Sequence, residues 1–404
     1  MITLKKTAPF LLLCSPLLPQ DTCLIDLPAC DQMEDCDLPI NHCPVEYECY
    51  MPPFYDQLCG SGRFLRLEYL YWSSGEPDLS YALTATAKPA EPESADTALF
   101  LSPVKYHQIG NRWDSGLRIG IGRHSSCDGW DSNLNWTYFR TKKTECSSVP
   151  TFGNPLIEPD GIFFPSAFQD VLINQWVNQS QTNLNIPLYF QQVDAEYKMY
   201  IHQLNLEMGR KYWLSQWFAL RLFAGARALS TKTKFETVSS GTYGADTFSK
   251  YQDKLTNKTK AAGLISGMQP NFYLTPNFAV FGSFEGSLLW GRFTEKKAEQ
   301  YSLDQNEPDF DLIYNHSFSS NEQRMLAGID LQAGLRWEVC WCCDEFRTAI
   351  DLGWEQHILF DLNKRNKYRA QFDGINLGTG FESYDQVVSN LMLGGFIIRG
   401  QFDF

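Results

Sequence analysis

Charged side chains of opposite sign recur at alternate positions along the chain. In the segment FALRLFAGARA, Arg221 and Arg227 share one face, and in AGIDLQAGLRWE, Asp330 and Arg336 share one face. Arginine presents a planar fork that pairs with carboxylates in a fixed geometry. Gathered in one space, such residues can form a charged constriction that selects solutes or a structural network of cross-strand pairs, and the sequence leaves both interpretations open. The candidates for lining this space are Arg66, Glu68, Arg118, Asp131, Glu207, Arg221, Arg227, Glu285, Asp330, Arg336, Arg347, Asp351, Glu355, Arg399 and Asp403.

One histidine offers a different chemistry, general acid/base catalysis. His357 shares a face with Asp351 and Glu355, but such a site needs a positioned set of partners, and no second histidine falls at a matching level. The chain also lacks a phosphate-binding loop, a dinucleotide fingerprint and a His-rich metal motif. The sequence therefore favours a rim position for His357 and a protein that is not an enzyme and needs no cofactor or metal.

The twelve cysteines point to disulfide chemistry. Lys5 and Lys6 precede an apolar run, which predicts a secretory signal peptide over residues 1–20. Residues 21–60 are acidic, contain no Lys or Arg and cannot build a core, so we expect a cysteine-rich periplasmic segment. Their cysteine spacing is too wide for zinc pairs, and disulfides are typical of exported proteins. The disulfide candidates are Cys23, Cys30, Cys36, Cys43, Cys49, Cys59, Cys127, Cys340, Cys342 and Cys343.

Loss of a signal peptide that contains Cys14 leaves an odd number of cysteines. At least one cysteine then cannot pair within the monomer. Cys342 and Cys343 are adjacent and rarely bond to each other. We therefore predict intermolecular disulfides that join copies of the protein to one another or to cysteine-rich envelope proteins.

The elements that must position the charged residues are β-strands. In WDSNLNWTYFR, Trp130, Leu134 and Trp136 alternate with Asp131 and Asn133, and a period of two is the signature of a strand. Ten segments share this alternation, namely residues 63–72, 117–123, 130–140, 202–209, 218–228, 259–268, 278–290, 327–338, 346–357 and 396–404.

The connections between these segments alternate between short and long. Short ones fall near 124–129, 210–217, 269–277 and 339–345, and long ones near 73–111, 141–193, 231–258, 294–323 and 358–388. This rhythm is typical of an outer-membrane barrel with short periplasmic turns and long extracellular loops. The sequence predicts an all-β, transmembrane antiparallel β-barrel of about 10 strands over residues 61–404, or up to 12 if a hairpin near LSYALTAT joins the wall. The aromatic residues expected to face lipid are Trp72, Trp130, Trp136, Trp290, Trp337 and Trp354.

Composition and size restrict the classes of function that the protein can have. The net charge of −13 argues against nucleic acid as a partner, because the phosphates of nucleic acids are attracted to basic surfaces. Eight strands leave a barrel interior just filled by side chains, whereas roughly sixteen strands leave an aqueous channel. A ten-stranded barrel therefore predicts a narrow charged lumen that passes small solutes or ions.

Four stretches resemble the Legionella/Parachlamydia-type major outer membrane protein family of pore-forming proteins. They are RFLRLEYLYW, RWDSGLRIGIGRHSSCDGWDSNLNWTYFRT, LNLEMGRKYWLSQWFALRLFAGAR and the terminal GQFDF, and the resemblance covers roughly residues 60–404. It implies a porin-like protein of the bacterial outer membrane. The alternative is a structural or adhesin barrel without an open pore.

The resemblance also bears on partners. Phe402 and the terminal Phe404 look like an outer-membrane assembly signal, so outer-membrane lipid and the barrel assembly machinery are the expected partners. The cysteine-rich segment is not part of the family pattern. It suggests a chlamydia-like organism, whose envelope relies on disulfide cross-linking.

Overall fold

We describe the protein from a computed structural model. The described residues are 62–76, 79–87, 100–124, 129–149, 156–157, 163–164, 169–174, 176, 190–243, 247–304, 311–341, 346–371 and 381–404. All of them belong to one unit, Cys43–Phe404. The predicted signal peptide and cysteine-rich segment lie outside these residues. Within the described part of the chain, no helix is long and apolar enough to cross a bilayer.

Fifteen strands make up the described secondary structure, and ten of them form a closed antiparallel barrel. The strands are β1 (Arg63–Gly75), β2 (Ser80–Ala87), β3 (Phe100–Gln108), β4 (Trp113–His124), β5 (Trp130–Ser148), β6 (Leu156–Ile157), β7 (Phe163–Phe164), β8 (Gln169–Asn174), β9 (Gln192–Ser215), β10 (Phe218–Tyr243), β11 (Thr247–Thr275), β12 (Phe278–Asp304), β13 (Asp311–Trp341), β14 (Phe346–Gln371) and β15 (Phe381–Asp403).

The predicted all-β barrel of ten strands is confirmed. The wall runs in the order β1-β15-β14-β13-β12-β11-β10-β9-β5-β4, and β4 pairs with β1 to complete it. The first and last strands meet where the amide of Phe404 donates to the carbonyl of Arg63, at 2.8 Å. Both ends of the barrel chain therefore lie at one end of the barrel, the terminal end, which faces the periplasm in barrels of this topology. We call the opposite end the outer end.

Alternation fixes which side chains enter the barrel. On β5, Trp130 and Trp136 are exposed on the outer face, while Asp131, Asn133 and Asn135 are buried inside. Only a closed barrel leaves no unpaired strand edge in lipid, so this wall can carry apolar side chains into a membrane.

Trp72 departs from the predicted lipid-facing set. It is only 2% exposed, and its ring lies 5.2 Å from Phe139 inside the barrel. The outward row of β1 consists of odd-numbered residues such as Tyr69 and Tyr71. An even-numbered residue of the same strand must point inward.

Three predicted long loops are mostly strand. Within the segments 231–258, 294–323 and 358–388, the described residues extend the wall strands β10 to β15. Outward positions here carry lysines such as Lys232 and Lys234 instead of aliphatic residues. The wall thus continues beyond the lipid-facing belt, where the apolar alternation used for the prediction no longer applies.

Three described strands of the two remaining long connections contact the inner face of the wall. Strands β3, β2 and β8 form a separate sheet, which we call the plug sheet. The hairpin expected near LSYALTAT exists as β2 and β3 but does not join the wall. Tyr81 of β2 hydrogen-bonds Ser147 of β5 at 2.7 Å, and Asn174 of β8 donates to Ser239 of β10 at 2.7 Å. The plug sheet therefore contacts inward-facing residues of two wall strands, β5 and β10.

An apolar core surrounds the plug sheet in the outer half of the barrel. Trp176, just after β8, is fully buried and contacts the ring of Phe235 at a centroid distance of 5.1 Å. Its indole nitrogen donates to the carbonyl of Ser80 at 2.9 Å. Further members of the core from wall strands include Leu70, Phe139, Tyr197, Met199, Leu255, Leu289, Phe293, Leu326, Leu359 and Leu391.

Candidate functional site

The fifteen charged residues singled out from the sequence have their side chains on the inner face of the wall. Nine are buried and six are half-buried. They lie at the level of the apolar outer belt: on β12, for example, Glu285 falls between the outward-facing Phe278 and Trp290. That stretch of strand is long enough to cross the hydrocarbon layer when tilted by about 40°. The interior is therefore charged within the membrane, whereas above it the apolar core surrounds a few buried charges such as Asp253, Lys297 and Glu299.

A carboxylate shared by two arginines begins a continuous series of ion pairs, which we call the ion-pair chain. Glu68 on β1 binds Arg118 of β4 at 2.6 Å and Arg399 of β15 at 2.8 Å. Arg399 also reaches Asp351 at 3.1 Å, and Asp351 binds Arg336 at 2.8 Å. Each of these carboxylates is almost completely buried. Two arginines per carboxylate offset the loss of hydration that burial imposes.

The chain then crosses the bore. Arg118 reaches Glu355 of β14 at 3.2 Å, although β1 and β15 separate β4 from β14 in the wall. His357 follows, with Nε2 3.5 Å from Glu355 and Nδ1 2.7 Å from Asp330. Asp330 of β13 binds Arg227 of β10 at 2.7 Å.

Arg227 completes the series by also binding Glu285. The ion-pair chain thus links seven of the ten wall strands. It contains Arg336, Asp351, Arg399, Glu68, Arg118, Glu355, His357, Asp330, Arg227 and Glu285.

The remaining predicted residues form two clusters. Arg221 binds Asp131 at 2.5 Å and Glu207 at 3.4 Å. Arg347 binds Asp403 at 2.5 Å. In each cluster the partners come from different strands, so these pairs tie the wall together.

Arg66 is paired differently from the other arginines. It donates to the amide oxygen of Gln401 at 3.0 Å. Gln401 in turn donates to Asp403 at 2.7 Å, so Arg66 is connected to the Arg347 cluster through an amide.

His357 is not at the rim. It lies inside the ion-pair chain, with its ring 4.8 Å from that of Trp72. Its place on β14 is set by the same alternation as that of Glu355. A histidine held between two carboxylates in the interior is poorly placed to act on an external substrate. Among the described residues, no group of three or more His, Cys, Asp or Glu could hold a metal ion.

Uncharged amides were missed as members of the interior network. Gln332 accepts a hydrogen bond from Arg399 at 3.2 Å, and Asn205 accepts one from Arg227 at 3.0 Å. Both occupy the same alternate positions as their charged neighbours. The signal that could have identified them is the period-two alternation, which places uncharged polar residues on the inner face together with the charged ones.

Most of the predicted disulfide residues lie outside the described residues. Cys340 is described and is disulfide-bonded, while Cys146 is exposed and free. Phe402 and Phe404 are exposed on the outer face, where their rings stack at 6.1 Å.

The closed wall, the apolar outer belt and the charged interior define an outer-membrane β-barrel protein. The chain belongs to the family described as Legionella pneumophila major outer membrane protein precursor, whose family model matches residues 65–404. The family resemblance noted in the sequence is thereby confirmed, and the protein is located in the bacterial outer membrane. No curated protein sequence matches the chain.

Several solved structures share a loose likeness with the barrel. One is a Pseudomonas aeruginosa FadL homologue, with 8% identity over 88% of this chain and 93% of that chain and a TM-score of 0.23. Another is the toluene transporter TodX of P. putida, with 6% identity over 86% and 91% of the two chains and a TM-score of 0.21. Such low values carry no conclusion about function.

Proposed function

We propose that the protein is a porin-like outer-membrane protein that passes small ions or solutes through its charged interior. The observation that carries this proposal is the charge of the interior within the membrane, where arginines and carboxylates occupy the inner face of the wall. Replacing buried ion pairs by well-packed apolar residues is often neutral or stabilising. A barrel that only had to be filled would therefore not need this set of charges.

The geometry restricts what can pass. The pairs Arg118–Glu355 and Arg227–Asp330 cross the bore, and any solute must move between them. Ten strands also leave far less room than the sixteen or so of a general-diffusion channel. The proposed cargo is therefore limited to ions and small polar molecules, and the plug sheet closes the outer end of the path.

The second candidate is a structural or adhesin barrel without an open pore. It is favoured by the plug sheet, because Leu172, Trp176 and Phe190 are fully buried in the apolar core. Such packing resembles a protein interior, so on this view the plug sheet stays in place and the barrel does not conduct.

Conductance of refolded protein in planar bilayers separates these candidates. A variant in which a short Gly/Ser linker replaces residues 150–189 lacks β8 and should conduct steadily, whereas the wild type should show small, intermittent openings. Heat-dependent mobility on gels verifies that both proteins are folded. Absence of conductance from both folded proteins would support the structural barrel and reject the porin.

We further propose that disulfides join the protein to its own copies or to cysteine-rich envelope proteins on the periplasmic side. The odd number of cysteines after signal cleavage supports this role. Thiol-blocked envelopes run on non-reducing gels should show high-mass species that collapse on reduction. A monomer alone under these conditions would reject cross-linking.

A further inference from the structure

A band of nine cations covers one side of the barrel on its outer face. We call it the basic band, and it occupies five consecutive wall strands, β5, β9, β10, β11 and β12. Its members alternate with buried residues, as the pleat requires. They are Arg140, Lys142, Lys198, Lys232, Lys234, Lys258, Lys260, Arg292 and Lys296.

Strand register places the basic band directly beyond the apolar belt. In the last apolar row, Leu204 pairs with Ala228, Ala228 with Ala262, and Ala262 with Trp290. Two residues further toward the outer end, Lys260 pairs with Arg292. The next row pairs Lys232 with Lys258, and the one after pairs Lys142 with Lys198 and Lys198 with Lys234. The cations therefore begin where the hydrocarbon layer ends.

The basic band ends at β12. On β13, next to β12, the outward positions at the same levels are Gln323, Asn321 and Ser319. The chain as a whole carries a net charge of −13, so a concentration of cations is not its general surface character.

Cations in the basic band face one another across strands. Like charges directly opposite destabilise a sheet, and two such pairs are Lys260 with Arg292 and Lys232 with Lys258. Glu196 relieves only the edge of the band, binding Lys142 at 2.9 Å and Lys198 at 2.6 Å. Within the described residues, none of the six band cations on β10, β11 and β12 has an ion-pair partner. An external anion would remove this repulsion.

We propose that the basic band binds the phosphate groups of glycolipid headgroups in the outer leaflet of the outer membrane. Lysine and arginine are suited to phosphate, and headgroup phosphates lie at the edge of the hydrocarbon layer, where the band begins. Five strands span about 20 Å across the wall, which is wide enough for a disaccharide headgroup. Continuity with the lipid-facing belt lets one lipid place its chains on the belt and its phosphates on the band. This binding is independent of whether the barrel conducts.

Titration of the detergent-refolded full chain with bisphosphoryl lipid A, followed by native mass spectrometry, tests the proposal. The variant Lys258→Gln/Lys260→Gln/Arg292→Gln should bind the lipid at least about tenfold more weakly, since each cation near an anionic lipid surface contributes about fivefold. The charge-conserving variant Lys260→Arg/Arg292→Lys should bind like wild type. Lys105→Gln/Lys250→Gln removes cations outside the band and should change binding by less than about twofold.

Lipid specificity provides the second readout. Lipid A stripped of phosphate should bind the wild type as weakly as bisphosphoryl lipid A binds the triple variant. Equal binding of stripped and phosphorylated lipid, or an unchanged affinity in a folded triple variant, would overturn the proposal. Binding of heparin without binding of lipid A would also overturn it, by assigning the band to an extracellular polyanion. If the triple variant does not fold, loss of binding in wild type on raising the salt concentration is expected, and salt-independent binding would overturn the proposal.

Discussion

Glu68 is a buried carboxylate that two arginines of the ion-pair chain share. Its carboxylate is 1% exposed and accepts hydrogen bonds from Arg118 and Arg399 at 2.6 and 2.8 Å. Both arginines form ion pairs with this carboxylate. Removing its charge therefore leaves two guanidinium groups with less negative charge to neutralise them. Neutral glutamine has the same shape, so its substitution isolates the charge.

We expect Glu68→Gln to lower the free energy of unfolding by about 3–5 kcal/mol, as measured by urea unfolding in lipid vesicles, because it breaks a buried pair. Glu196→Gln is the matched control. Its carboxylate pairs with two lysines on the outer surface, where such pairs contribute at most about 1 kcal/mol. Equal effects at the two sites would contradict the buried ion-pair chain.

Asp253 provides a pH-dependent prediction outside the membrane-spanning segments. Burial raises the pKa of this carboxyl to about 8, outweighing the attraction of the Lys297 ammonium group 3.8 Å away, and the neighbouring Glu299 and Glu295 raise it further. The folded protein then keeps a proton that the unfolded chain loses at about pH 4. Between these values the folded state binds more protons, so stability falls as the pH rises.

The variant Asp253→Asn should remove this component of the pH dependence. At pH 4 the free energies of unfolding of wild type and variant should differ little. As the pH approaches 8, the free energy of unfolding of the variant should rise relative to that of the wild type, in unfolding curves measured at each pH. Lys297, Glu295 and Glu299 are present in both proteins, so the difference reports on Asp253. A constant difference across this range would show that its pKa is not raised.

Sequence predicts the face of a residue here but not its partner. Period-two alternation places all fifteen candidate charges inside the barrel. The pair Arg118–Glu355 is separated by 237 positions in the chain and joins strands that are not neighbours in the wall. Such contacts depend on the tilt and stagger of the closed barrel, which local alternation does not encode.

At the scale of elements, the apolar outer rows identify the membrane-spanning part of each strand. They could not identify the outer parts of β10 to β13, because Lys232, Lys258 and Lys296 replace aliphatic residues there. These strands are nonetheless continuous through both regions. In these outer parts the outer face no longer contacts lipid, whereas the pairing between strands continues.

Two substitutions on the outer face of β13 test where the lipid-facing belt ends. Leu331→Arg, within the belt, should lower the free energy of unfolding in vesicles by roughly 2–4 kcal/mol. Gln323→Arg lies eight residues away on the same face, level with Arg292, and should cost at most about 1 kcal/mol. A larger cost at Gln323 than at Leu331 would place the membrane boundary elsewhere.

For the whole molecule, the decisive feature is that the plug sheet, built from strands of the two longest connections, contacts the inner face of the wall. Alternation predicted the number of wall strands, because this number follows from local pattern. The plug sheet was not predicted as an interior element, since β8 has only six residues and its contacts are with distant wall strands. Its placement determines whether a barrel with a charged interior is open or closed.

Conductance with a reversible cross-link tests this placement most directly. In a cysteine-free background, Asn174→Cys and Ser239→Cys replace side chains that are 2.7 Å apart and join the plug sheet to β10. Oxidation should silence planar-bilayer conductance and reduction should restore intermittent openings, while Asn174→Cys alone should respond to neither treatment. Undiminished conductance of the oxidised, cross-linked protein, or no openings after reduction, would contradict a charged passage closed by the plug sheet.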